Sequence, residues 1–178
     1  MKNLLYILLF LPVFIACKKN AVEELPPATQ TGANTFGASV DGNLWVPTSS
    51  IIGATKLEAR YVQNDVIINA RNLASTPRES EFEIYIKDLN GPGIYPLNQD
   101  AVVYPNQGPS YGYYVLRNIN PINQWITSSQ FTGAVTITKD DRVNHIVSGT
   151  FQFDALNLYG SPDTLHVTDG RFDLKVNF

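Results

Sequence analysis

The chain has one cysteine, one methionine and two histidines in 178 residues. A single thiol excludes an internal disulfide, so a folded domain here must hold together by packing alone. With two histidines and no second cysteine, no Cys-x-x-Cys or His-x-Glu-x-x-His spacing exists. Zinc wants three or four converging ligands, so neither a metal nor a cofactor is expected. Charge is scarce too: 16% of residues are Asp, Glu, Lys or Arg, and the formal net charge is −3. Beyond Lys18-Lys19 no stretch gathers basic residues, which removes the electrostatic footprint of a nucleic-acid binder. No apolar run approaches the roughly 20 residues that a helix needs to cross a bilayer.

What the chain does have begins at its amino terminus. Met1-Lys2, an apolar run from Leu4 to Ile15 and a small residue, Ala16, are the parts of a secretory signal. The lone cysteine, Cys17, stands where the cut would fall. This arrangement resembles that of bacterial lipoproteins, although Phe14 occupies a position where leucine is commonest. The resemblance implies a signal peptide over residues 1–16, cleavage before Cys17, and a diacylglycerol on its thiol. Each buried methylene contributes about 0.8 kcal/mol, so two or three acyl chains anchor a protein stably where one does not. Residues 17–34 follow with charge, Pro26-Pro27 and small polar side chains but no apolar period. They are expected to form a flexible tether with an r.m.s. span of roughly 23 Å.

From Thr35 to Phe178 apolar and polar residues mostly alternate, the period of a strand with one buried face. Phe82, Ile84 and Ile86 alternate with Glu81, Glu83 and Tyr85; Val147, Gly149, Phe151, Phe153 and Ala155 alternate with Ser148, Thr150, Gln152 and Asp154. One solvated face per strand argues for antiparallel sheets. Short strands between Gly, Pro, Asn and Asp, without a helical pattern, predict a single all-β domain over 35–178, an antiparallel β-sandwich or partly open barrel. Keeping apolar residues on one face predicts three local registers. A three-residue loop at Asp41-Gly42-Asn43 pairs Val40 with Leu44. A two-residue turn at Asn64-Asp65 pairs Tyr61 with Ile68 and Glu58 with Arg71. Asp169-Gly170 either turns a hairpin that sets His166 against Asp173 or forms a bulge in one long strand.

The plan of the chain resembles a family of uncharacterised lipoproteins of the Bacteroidetes type that carry a domain of unknown function. The resemblance covers most of residues 34–178. It rests on Asn34-Thr35-Phe36-Gly37, Asp41-Gly42-Asn43-Leu44-Trp45-Val46-Pro47, Gly93-Ile94-Tyr95-Pro96-Leu97, Val147-Ser148-Gly149-Thr150-Phe151-Gln152-Phe153 and Val167-Thr168-Asp169-Gly170-Arg171-Phe172. These are strand and turn residues, so they carry fold and address and no catalytic residue. The resemblance implies an outer-membrane lipoprotein, lipid-anchored and facing either the periplasm or the surface. Lys18, rather than an aspartate, follows the cysteine.

Chemistry has few candidates. Glu81 and Glu83 share a strand face at the spacing that glycoside hydrolysis uses for its carboxylate pair, the basis of the alternative reading as an exported hydrolase acting on a glycan or similar substrate. Asp140-Asp141-Arg142-Val143-Asn144 gathers oxygen ligands but lacks the spacing and glycine of a calcium loop, and reads as a turn. The preferred ligand surface lies in Tyr104 to Trp125, where Tyr104, Tyr111, Tyr113 and Trp125 stand among Asn and Gln. Aromatic faces stack on sugars while amides bond their hydroxyls; the competing reading makes Tyr111, Tyr113 and Val115 one face of a strand. Asp163-Thr164-Leu165 resembles the short acceptor motif for O-glycosylation in this bacterial group, which places the modification on Thr164. The function expected is therefore a membrane-anchored lipoprotein without enzymatic activity that binds a glycan or an envelope protein.

Overall fold

In a computed structural model of the protein, residues 24–74, 78–105, 108–118, 120–159 and 162–177 are described. Among them there is no helix, and twelve strands follow one another: β1 (Thr35–Val40), β2 (Asn43–Trp45), β3 (Thr48–Ser49), β4 (Leu57–Val62), β5 (Asp65–Leu73), β6 (Arg78–Ile86), β7 (Gly93–Leu97), β8 (Tyr111–Asn118), β9 (Pro121–Ile126), β10 (Gly133–Asp141), β11 (Ile146–Asn157) and β12 (Thr164–Lys175). They form one sheet in the order β2-β1-β12-β11-β9-β8-β6-β5-β3, with β4 beside β5 and β7 beside β10. Long β11 serves two neighbours along one edge, β10 up to Phe153 and β9 from Leu156. The sheet curls into a half-barrel, which is the partly open barrel of the two all-β forms expected. Two pairings are parallel, β3 with β5 at Thr48–Ser49 and a single bridge between Arg60 of β4 and Asn177. Beyond β12, Asn177 N donates to Ala59 O at 2.9 Å and its carbonyl accepts from Tyr61 N at 3.2 Å. Those two bonds stitch the chain's end to β4.

Curling lets the alternating apolar positions of both halves share one core. Phe36, Trp45, Phe82, Tyr114, Trp125, Phe151, Phe153 and Phe172 are buried there among Val, Ile and Leu. Burying such a side chain stabilises a fold by roughly 1.5–3 kcal/mol. Phe82 sits at the centre, its ring centroid 4.7 Å from Trp45, 4.8 Å from Tyr114 and 5.6 Å from Phe36. The indole of Trp45 donates to Ser80 Oγ at 2.9 Å, so its one polar atom is satisfied.

The registers differ from expectation in instructive ways. The first hairpin pairs Val40 with Asn43 and Ala38 with Trp45, a two-residue turn at Asp41-Gly42 in place of the three-residue loop. Asp41 and Gly42 both adopt positive φ, 49° and 77°, as the tight turn requires. At the second, Tyr61 pairs with Val66 and Glu58 with Asn69, around Gln63-Asn64. The shift moves every partner by two residues, so inner and outer faces are kept although the Glu58–Arg71 pair is lost. At Asp169-Gly170 there is no hairpin: β12 runs through, and its extra residue disturbs the register with both β1 and β11. Phe151 lies opposite Gly170, where a Cβ would fall 2.5 Å from its ring, so only glycine fits.

Two segments cover the outside of the sheet. Between β7 and β8, Ala101, Val103 and Tyr104 pack over Ile67, Tyr85, Tyr111, Tyr113, Val115 and Ile126, a second apolar layer on the outer face. At the amino end, residues 29–33, read from sequence as part of a tether, lie on the domain. Thr29 Oγ1, Thr31 N, Gly32 N and Ala33 N all donate to the carboxylate of Asp173, at 2.6, 2.9, 2.8 and 3.2 Å. Asp173 sits on the outer parity of β12 and is nonetheless fully buried. The strap is what covers it.

Candidate functional site

The outer face of β5, β6 and β8 is where the sequence places its chemistry, and the strand register arranges it in rows. Ile67, Tyr85 and Tyr111 form the first row; Asn69, Glu83, Tyr113 and Ile126 the second; Arg71, Glu81, Val115 and Gln124 the third. Glu83 accepts a short hydrogen bond from Tyr111 Oη and one of 2.8 Å from Asn69 Nδ2. The same tyrosine oxygen accepts from Tyr104 N at 2.6 Å, which pins the covering segment to the sheet. Glu81 is held by Arg71 at 3.1 Å and Arg117 at 2.7 Å. Tyr85 donates a short bond to Asp65, and the guanidinium of Arg60 lies 5.6 Å over the Tyr104 ring. Burial, then the Glu83 bond, raises the pKa of Tyr111 well above the tyrosine range. Burial pushes Tyr113 up to about 12. Both hydroxyls stay protonated, Tyr111 donating to Glu83, and both carboxylates act as acceptors within the sheet's outer face.

Of the four expected stacking aromatics, Tyr104, Tyr111 and Tyr113 gather in the outer layer and Trp125 lies apart from them, and none of the last three offers an open face. Tyr111 is 0% exposed, Tyr113 7% and Trp125 4%, and Tyr104 is half-buried against Tyr85. Trp125 also belongs to the inner core while Tyr111 and Tyr113 belong to the outer layer, because neighbouring positions on paired strands point to opposite faces. The reading of Tyr111, Tyr113 and Val115 as one strand face is the one the structure carries. Thr164 is half-buried at the start of β12, and the adjacent Asp163 carboxylate accepts from Trp125 Nε1 at 3.2 Å. Cys17 lies outside the described residues.

His166 bonds Asp154 at 2.7 Å, its partner on β11, and not Asp173. His145 precedes β11 at the other end, about 30 Å away along an extended strand. Among the described residues no group of three His, Cys, Asp or Glu could hold a metal. Asp140 and Asp141 close β10, and residues 142–145 turn the chain into β11: Asn144 N and Nδ2 both bond Asp141, at 2.9 and 2.8 Å, and Arg142 pairs with Asp140 at 3.1 Å.

A surface the sequence analysis did not single out lies outside β10, β11 and β12. Two adjoining open cavities of ≈ 470 and ≈ 490 Å³ share Ala134 and Gln152. Thr136, Thr150 and Arg171 line the first, together with Ala28 just before the strap, and Asp154 and Thr168 line the second. The bulge builds this trough. Opposite Gln152 the extra residue of β12 leaves Thr168 and Asp169 facing one residue, which widens the spacing of side chains there. Hydroxyl, amide, carboxylate and guanidinium groups line the trough together with Ala134 and Gly170. A two-residue turn signal, Asp169-Gly170, was the only trace of it in the sequence.

The family described as a domain of unknown function (DUF6252) matches residues 33–174 of this chain. Neither a curated protein nor a solved structure matches it.

Proposed function

This chain belongs to the DUF6252 family, a domain of unknown function, and from that premise we propose that it is a lipid-anchored lipoprotein of the outer membrane that binds its partner without transforming it. The signal-like residues 1–16 and Cys17 support the anchor. The observation that carries the binding reading is the trough across β10, β11 and β12, whose hydroxyl, amide, carboxylate and guanidinium lining suits a hydroxyl-rich ligand such as a glycan. The alternative site for chemistry, Glu81 with Glu83, is committed to Arg71, Arg117, Asn69 and Tyr111. Removing either acid from those partners costs more than it frees.

The test is a glycan-array screen of residues 24–178 beside a Thr150→Ala, Gln152→Ala double variant. Both side chains are exposed, so the variant folds. Binding by the parent and a loss of about tenfold or more in the variant is expected, the equivalent of roughly 1.4 kcal/mol. A parent that binds no glycan, or a variant that binds as the parent does, contradicts it.

A further inference from the structure

The chain between β3 and β4 carries two adjacent isoleucines that the core does not use, Ile51 at 53% and Ile52 at 102% exposure. They sit on a built turn. Ala54 N donates to Ile51 O at 3.3 Å, and Gly53 supplies the positive φ, 80°, that such a turn needs at its third residue. The Ser49 hydroxyl accepts from Ile51 N at 3.0 Å and donates to Ile51 O at 3.1 Å, bracing the turn from the strand side. Ile52 is thereby held at the apex, fully hydrated. Apolar surface held out in this way gains nothing from its own fold and is open to contact with something apolar outside it.

The path of the amino-terminal chain says what that is. Pro26 lines an apolar cleft of ≈ 160 Å³ together with Val46, Pro47, Lys56 and Leu57, the residues that flank the segment bearing the turn. The exit is fixed there. Arg171 Nη1 holds the Pro26 carbonyl at 3.5 Å, and Pro26 packs so closely on Gly37 that a Cβ would fall 2.8 Å from its Cδ. From Glu24, the first described residue, back to Cys17 there are seven residue steps, at most about 25 Å when fully extended. An anchor on Cys17 therefore keeps this side of the domain close to the bilayer and raises the concentration of the turn at its surface. Exposed Lys56 beside it, with Lys18-Lys19 next to the anchor, supplies cations for anionic headgroups.

We propose that the Ile51-Ile52 turn is a membrane-seating finger, which inserts its two isoleucines at the boundary between headgroups and acyl chains and holds the domain in one orientation beside its anchor. This rests on the lipid-anchored reading above.

The experiment places Ile52→Trp in the full acylated protein, reconstituted in vesicles of phosphatidylethanolamine and phosphatidylglycerol, and reads the emission added to that of the parent. Trp45 and Trp125 are buried at 7% and 4% exposure, so the parent gives a steady background. The added emission is expected to shift to the blue, to be quenched by lipids brominated on their acyl chains, and to lose access to aqueous iodide. An Ile51→Asn, Ile52→Asn variant in the Cys17→Ala chain is expected to partition onto the same vesicles about tenfold less than Cys17→Ala alone. Acyl label on Cys17 with the new tryptophan still open to iodide overturns the finger and leaves the anchor. Absence of acyl label on the protein that retains Cys17, with Ile52→Trp in the Cys17→Ala chain quenched by brominated lipid, overturns the anchor and keeps the finger.

Discussion

Asp173 shows how one side chain departs from its position in a pattern. By alternation it is an outer residue of β12, and sequence reasoning gave it to His166 as a surface partner. It is instead buried and takes donors from the strap and from Ser148 Oγ at 2.8 Å. Those hydrogen bonds, acting against the cost of burial, hold its carboxyl well below the usual carboxylate range. Because the folded pKa lies below the unfolded one, the stability it contributes is complete above about pH 4 and drains away as pH falls toward the depressed value. Asp173→Ala leaves Gly32 N and Ser148 Oγ without their acceptor. It is expected to cost about 3 kcal/mol in urea unfolding and to flatten the acid limb of the stability profile. Trp125→Ala belongs to the same scale. A buried aromatic removed from the core costs about 3–5 kcal/mol, so thermal unfolding is expected to fall sharply while glycan binding by the folded fraction stays as in the parent. Tyrosines act at the other end of the pH range. Tyr113, pushed up to about 12 by burial, favours the fold while neutral, so stability is expected to decline as pH rises past about 10, the unfolded value. Circular dichroism across pH 9–12 follows it, and Tyr113→Phe shows a smaller loss.

Among the elements, strands were legible and coverings were not. Period-two alternation is imposed by the pleat, so Phe82-Ile84-Ile86 and Phe151-Phe153-Ala155 announced both the strands and the faces they bury. Turn lengths were read less well, since Asp41-Gly42-Asn43 and Gln63-Asn64-Asp65 each offer turn residues in overlapping pairs and only cross-strand contacts decide between them. The roof and the strap gave no signal, because the roof's apolar residues lie outside any strand and the strap's amides and hydroxyl converge on one carboxylate that no periodicity marks. Glu83 looked solvated for the same reason: the alternation places it outside, and only the fold brings Tyr111 and Asn69 to it. The strap also changes where the domain begins. A chain starting at residue 35 lacks Thr29, Thr31, Gly32 and Ala33, and leaves Asp173 with unmet acceptor sites. Compared with residues 24–178, residues 35–178 are expected to unfold at a urea midpoint lower by at least about 1 M, for a loss of roughly 3 kcal/mol at a slope of 1–3 kcal/mol per M.

For the whole molecule, the described residues form one curled sheet with an aromatic core and an outer face partly roofed. The candidate site was legible only in outline. The aromatic segment drew attention because its residues are large, and they are large because they fill two opposite layers. The trough depends on a bulge whose effect on neighbouring strands appears only when the sheet is assembled. The lipid anchor on Cys17 is the proposal on which the membrane-bound reading and the finger both rest. The measurement that tests it is metabolic labelling with an alkyne-bearing palmitate analogue in a bacterium that processes lipoproteins, followed by membrane fractionation, for the parent and Cys17→Ala. The expected result is label and membrane association in the parent, and neither label nor membrane association above the weak, salt-sensitive level of the finger in Cys17→Ala. An unlabelled parent, or a Cys17→Ala chain retained on membranes as firmly as the parent, contradicts the account.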